Sequence, residues 1–120
     1  MRGQMTLGAL IEALRKCDPE AEARFDFGYF CPSFCVSYRG YYDELAISYE
    51  RGTWPKVSAV LAELGAALQN EFEGYKGGVY RMAGHTPVWV ANYGESPGVA
   101  VVEVKNGRGT VIICTEHIDD

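Results

Sequence analysis

The residue types best suited to chemistry in this chain are four cysteines, two histidines and a scatter of arginines among eight tyrosines. Cys31 and Cys35 lie close together, and His85 and His117 could in principle complete a zinc tetrahedron with them. Structural zinc usually shows a tight pair of ligands at each end of the site. Cys17 and Cys114 are each isolated, and Cys35 and Cys114 fall in strand-like runs where cysteine acts as a small hydrophobe. The spacing argues against a metal, and neither metal nor cofactor is expected. A Cys–His nucleophile needs a thiolate with a base in hydrogen-bonding reach, and nothing local supplies that pair. The chain also lacks a nucleophile elbow, a phosphate-cradling glycine loop and a helical HExxH. Asp43-Glu44 and Glu71/Glu73 read as solvated faces. No catalytic residue is assigned, and the chain is expected to bind rather than to catalyse.

Two stretches carry the chemistry of binding. In Ser37-Tyr38-Arg39-Gly40-Tyr41-Tyr42 an arginine sits among three tyrosines. Such rings can stack on a nucleobase while the guanidinium pairs with a phosphate. They can equally form a sheet edge that packs the core or a partner chain. In the second stretch, Tyr80-Arg81-Met82 precedes Thr86-Pro87-Val88-Trp89-Val90-Ala91-Asn92-Tyr93-Gly94. Asn92 ends an apolar strand, where its amide could bond a base edge or a sugar hydroxyl, or simply form the turn before Gly94. Arg108 is the most exposed positive group, at the tip of a tight hairpin, where a basic side chain can close over an anionic ligand.

These residues must be positioned by a small set of elements. Thr6 reads as the N-cap of a first helix, with Met5 placed to staple against Leu10. Leu7, Leu10, Ile11 and Leu14 form its apolar stripe, and Asp18-Pro19 stops it. Strands are predicted over 23–27, 34–38 and 45–49, with a turn over 28–32. Val57-Ser58 repeats the apolar-then-cap pattern and opens a second helix with Leu61, Leu64, Leu68 and Phe72 as its buried stripe, ended by Gly74. Four strands follow, over 79–82, 88–91, 99–104 and 110–115, the last two flanking the hairpin Asn106-Gly107-Arg108-Gly109. The order helix, three strands, helix, four strands predicts an α+β fold, an antiparallel or mixed β-sheet with two helices packed on it.

At 120 residues the chain reads as a single domain, with a hydrophobic fraction of 48% suited to a packed core. The formal charge of -5 leaves no basic face for counterion release, so a DNA or RNA polymer is not an expected partner. A small anion needs only a few local positive groups and stays open. The N-terminus is too short in apolar residues for a signal peptide, and no run approaches the roughly 18 of a membrane span. Reduced cysteines in a cytoplasmic protein are therefore expected.

Across the opening helix, SYRGYYDELA at 37–46, YKGGVYRM at 75–82 and TPVWVANYG at 86–94, the chain resembles the first described family of phage proteins that inhibit Thoeris defence. The resemblance implies a sponge in the cytoplasm of an infected bacterium. Thoeris makes a cyclic ADP-ribose isomer through a TIR-domain enzyme, and family members bind that isomer without cleaving it. They form homodimers with ligand pockets at the interface, and some assemble into hexamers that also bind cyclic oligonucleotides. Carried over by position, Asn92 matches the polar residue placed on the ligand. Met82 stands where some members have an aromatic base-stacking residue, a departure that makes adenine contact less specific. Arg108 lies in the hairpin that holds a ligand-contacting arginine, and Thr110 belongs to the same loop. Arg39 and Arg81 are added as phosphate partners from charge and position. Two other readings stay open: an acidic inhibitor that docks on a host enzyme through its tyrosines, and a small thiol or histidine hydrolase.

Overall fold

In the computed structural model residues 3–28, 30–37, 44–52, 54–68, 71–73, 79–81, 84–91 and 98–118 are described, with the backbone alone at 37, 71–73 and 79–81. The first helix, α1 (Leu7–Arg15), starts where its sequence says it should. The Thr6 hydroxyl accepts from the Ala9 N–H at 3.2 Å, and Leu7, Leu10, Ile11 and Leu14 are all buried. The residues before the helix are also tied into the sheet, since Met5 N–H donates to Val101 O and Val88 N–H donates to Met5 O. Gly8 lets the 84–87 turn dock on the helix start. Its N–H donates to Gly84 O at 2.8 Å, and a Cβ there would stand 3.0 Å from that oxygen.

After β1 (Glu22–Phe25), β2 (Phe30–Ser37) and β3 (Leu45–Arg51) comes α2 (Val57–Ala67), followed by β4 (Glu71–Glu73), β5 (Val79–Arg81), β6 (Val88–Val90), β7 (Gly98–Asn106) and β8 (Thr110–Ile118). Among the described residues, two helices pack on a six-stranded mixed sheet in the order β1-β8-β7-β6-β3-β2, as the α+β expectation holds. β1–β8 and β3–β6 are parallel pairs, and the rest are antiparallel. The sheet curls nearly into a barrel. Phe25, Phe27, Phe30 and Tyr49 link its two edge strands in one run of ring contacts, with centroids 4.7 to 5.8 Å apart.

Period-two alternation divides the sheet into two apolar faces. Ala23, Phe25, Leu45, Ile47, Val88, Val90, Val111 and Ile113 meet the two helices. Ala46, Trp89, Ala91, Ala100, Val102 and Cys114 form a second buried cluster. In that cluster the Trp89 indole N–H donates to Glu44 Oε1 at 2.7 Å, so a large ring is buried without an orphaned donor.

Several sequence expectations need correction. The segment 28–32 is not all turn: β2 begins at Phe30, with Cys31 opposite Glu50 and Pro32 opposite Tyr49. β2 is an edge strand, where proline's missing N–H breaks no ladder bond, and a bulge between Pro32 and Cys35 absorbs one extra residue. Ser58 does not cap α2. Lys56 holds the N-cap position without a side-chain bond, because Val57 N–H donates to Ala21 O and Ser58 N–H to Pro19 O. Tertiary carbonyls thus satisfy the helix's first donors. The buried stripe of α2 is Val57, Val60, Leu64 and Ala67, with Leu68 37% exposed. The helix ends at Ala67, and Phe72 instead pairs with Tyr80 in the β4–β5 ladder, a strand that the sequence reading lacked. The position of Gly74 lies outside the described residues.

Candidate ligand site at the β1–β8 edge

Of the six residues expected at a ligand, Arg108 and Thr110 are described in full. β7 and β8 turn tightly at Arg108-Gly109, with Gly107 N–H donating to Thr110 O at 3.0 Å and Gly109 at φ +71°. Glycine takes that left-handed conformation without Cβ strain. Arg108 is therefore exposed at the tip, as expected, and Thr110 is half-buried directly below it. The tip rests against β1: Glu22 N–H donates to Gly109 O at 3.0 Å, and Glu22 is the strand partner of Thr110. Arg81 is in β5 opposite Glu71, and its side chain lies outside the described residues. Arg39, Met82 and Asn92 lie outside them altogether.

Among the described residues no three His, Cys, Asp or Glu groups stand together as a metal site. His85 is exposed in the 84–87 turn, and His117 is exposed on β8 opposite Val99. All four thiols are free, and three of them, Cys17, Cys31 and Cys114, are buried. The Cys35 thiol is pushed up to about 12, first by burial and then by the negative charge of Glu63. It is protonated at neutral pH, which leaves it a poor nucleophile.

A cleft two residues further along the same two strands was missed by sequence reasoning. It is about 420 Å³ and lined by Arg24, Phe25, Asp26, Phe27, Gly28 and Ile112. Arg24 and Ile112 are direct partners across β1 and β8, just as Glu22 and Thr110 are. Period two puts all four on one face of the sheet. Asp26 follows the strand, its carboxylate accepting from the Thr115 hydroxyl at 2.6 Å and the Thr115 N–H at 2.9 Å. Those bonds fix the chain past β1 to β8, and so fix the wall of the cleft.

The cation in this cleft is held in an unusual way. The Arg24 guanidinium carbon lies 4.7 Å from the centroid of the Trp54 ring. Its Nε is buried and has no hydrogen-bond partner. Trp54 arrives there because residues 55–57 run antiparallel along the outer edge of β1. Ala23 N–H donates to Pro55 O, Val57 N–H donates to Ala21 O, and Lys56 bridges Glu22. Lys56 also pairs with Glu20 at 2.7 Å. The reversal from β3 into that segment uses Gly52 at φ +75° and Trp54 at φ +45°. A bulky residue is rare in the left-handed region, and the strain is commonly found at functional positions. The sequence did offer a signal: in the strand predicted over 23–27, Arg24 and Asp26 alternate with apolar residues and must face away from the core. Trp54 gave none, since its place beside Arg24 depends on a tertiary path.

No helix among the described residues is long and apolar enough to cross a membrane. Compared with protein-family models, with curated proteins and with solved structures, the chain matches none of them.

Proposed function

We propose that this protein is a nucleotide sponge, which binds a cyclic ADP-ribose-type signal made by TIR-domain enzymes and holds it without cleaving it. The observation that carries the reading is the β7–β8 hairpin. It presents Arg108 at an exposed tip with Thr110 beneath it, the two residues that the family resemblance assigns to the ligand. Asn92 then bonds the ligand's polar edge, Met82 covers the adenine, and Arg39 and Arg81 meet the pyrophosphate. No general acid or base is needed. A cyclised ligand is nearly rigid, so little conformational entropy is lost on capture. Two subunits closing around one ligand, as homodimers or within hexamers, provide more burial than one shallow sheet face, and cyclic oligonucleotides are a second ligand class to test.

Thermal unfolding with and without cyclic ADP-ribose isomers tests this, followed by boiling and chromatography of what is released. Ligand at about a hundred times Kd stabilises the folded state by about 2.7 kcal/mol. Intact ligand in the supernatant, and loss of the shift in Asn92→Ala and Arg108→Ala, are the expected results. A converted product means an enzyme. No shift with any cyclic nucleotide overturns the sponge and favours the docking inhibitor. For that second reading the supporting observation is Phe34, 49% exposed at the bulge of the edge strand β2.

A further inference from the structure

We propose that the cleft beside Arg24 is a binding site for a phosphate monoester carried on a hydroxylated carbon skeleton, the chemistry shared by sugar phosphates and nucleoside monophosphates. The assignment goes beyond the sponge reading and uses none of its residues. It begins with a charge that no described carboxylate balances. Among the described residues no carboxylate pairs with Arg24, and its Nε is shut off from water with no acceptor. The neighbours on its own face, Glu22 two residues before and Asp26 two residues after, do not serve it: Glu22 is exposed at the hairpin end, and Asp26 is bonded to Thr115. A guanidinium in reduced dielectric with no counter-anion gains more from an incoming anion than one in open water. Its planar fork matches phosphate oxygens.

The rest of the cleft says what the phosphate must be attached to. About 420 Å³ is far more than a lone anion fills and is of the size that small organic ligands occupy. Phe27 and Ile112 are half-buried in its wall and offer apolar contact to a carbon skeleton. The Asp26 carboxylate accepts two bonds from Thr115 and keeps free lone pairs, so a ligand hydroxyl can donate to it. That donor also offsets the repulsion between the carboxylate and the phosphate. The strained Trp54 lies over the guanidinium, so the cation is in place before the ligand arrives.

Two tryptophans make the test direct. Trp54 lies on Arg24, and Trp89 is engaged with Glu44 in the second apolar cluster, so its indole N–H signal is an internal control. The full chain is titrated with ribose 5-phosphate, adenosine 5′-monophosphate, inorganic phosphate and ribose, and followed by NMR of the indole N–H groups and the Ile112 methyls. Both phosphorylated organic probes are expected to move Trp54 and Ile112 saturably and leave Trp89 still. Tighter binding of the nucleotide would assign the base a contact, and equal binding would assign the sugar phosphate alone. Ribose should do nothing, and inorganic phosphate should bind at least about tenfold more weakly, a difference of about 1.4 kcal/mol. Arg24→Gln should weaken the organic probes by about tenfold or more. Arg24→Lys, which keeps charge without the fork, should fall between, and an unmoved Trp89 signal verifies the fold of each variant. No Trp54 response to either phosphorylated probe overturns the site. Ribose binding as well as its phosphate, or undiminished affinity in Arg24→Gln, overturns the role of Arg24. Inorganic phosphate binding as tightly as the esters overturns the skeleton contacts.

Discussion

At Trp54 the usual ranking of alanine over glycine should invert. With φ at +45°, any side chain there meets the steric conflict of the left-handed region, about 1–2 kcal/mol, which glycine escapes. Glycine in turn loses more freedom on folding, about 0.4–1 kcal/mol relative to alanine. The balance places Trp54→Gly about 0.5–1 kcal/mol above Trp54→Ala in stability. Both variants lose the ring over Arg24, about 0.5–1 kcal/mol. Both also lose the apolar burial of a half-exposed indole, about 100 Å² at about 25 cal/mol per Å², or about 2.5 kcal/mol. Trp54→Ala should therefore fall about 3 kcal/mol below the parent, and Trp54→Gly about 2–2.5. Urea unfolding followed by far-UV circular dichroism reads this directly, and with a slope of about 1–3 kcal/mol/M the two midpoints separate by a few tenths of a molar. A Trp54→Ala midpoint at or above that of Trp54→Gly would show that residue 54 is not held at positive φ. The route of the chain onto β1, and the aim of the indole at Arg24, would then be wrong.

Two further outcomes follow from burial. Leu64→Ala should cost about 3–5 kcal/mol, because Leu64 is 1% exposed between helix and sheet, whereas Leu68→Ala should cost under about 1 kcal/mol. Comparable losses in urea unfolding would restore the stripe read from sequence. At Cys35 burial, and then the charge of Glu63, push the folded thiol up to about 12 from its ordinary 9.0. Between those values the folded state holds a proton that the unfolded state gives up, so this residue's contribution to stability is intact below pH 9 and falls as pH rises toward 12. Unfolding midpoints from pH 8 to 11 should fall less in Cys35→Ala than in the parent, and equal slopes would refute the half-buried, neutral thiol.

The legible parts of this fold were those decided locally. Thr6 capped its helix because the hydroxyl and the Ala9 N–H are three residues apart, and the Asn106–Gly109 hairpin formed because glycine accepts positive φ. The second helix was misread for a physical reason. Leu61, Leu64 and Leu68 form one apolar stripe and Val57, Val60, Leu64 and Ala67 an adjacent one, and periodicity alone cannot rank two stripes that share Leu64. The sheet favoured the stripe with smaller residues. Its cap was equally hidden, since the acceptors for Val57 and Ser58 come from Ala21 and Pro19, far back in the chain. For the candidate sites, Arg108 and Thr110 were readable because a tight hairpin announces itself. Arg24 was visible only as an outward residue of a strand.

What makes Arg24 more than an outward residue is the way its neighbours are used. An arginine on a sheet surface is ordinarily solvated or paired with a carboxylate across or along the strands, and Arg24 has Glu22 and Asp26 on either side. The fold directs Asp26 to Thr115, which closes the chain past β1 onto β8, and leaves Glu22 at the exposed hairpin end. It then lays Trp54 over the guanidinium, at the cost of a strained backbone, and leaves the buried Nε without an acceptor. If packing against the indole were the only purpose, Arg24→Met would serve as well. It would lose about 0.5–1 kcal/mol of cation–π attraction and recover about 1–3 kcal/mol by removing the unsatisfied donor. On these magnitudes Arg24 supplies no stability that methionine would not, which fits the proposal that its guanidinium is held for a ligand. Without ligand, Arg24→Met should therefore unfold at the same or a higher urea concentration than the parent, and only the parent should gain when a phosphate ester is present.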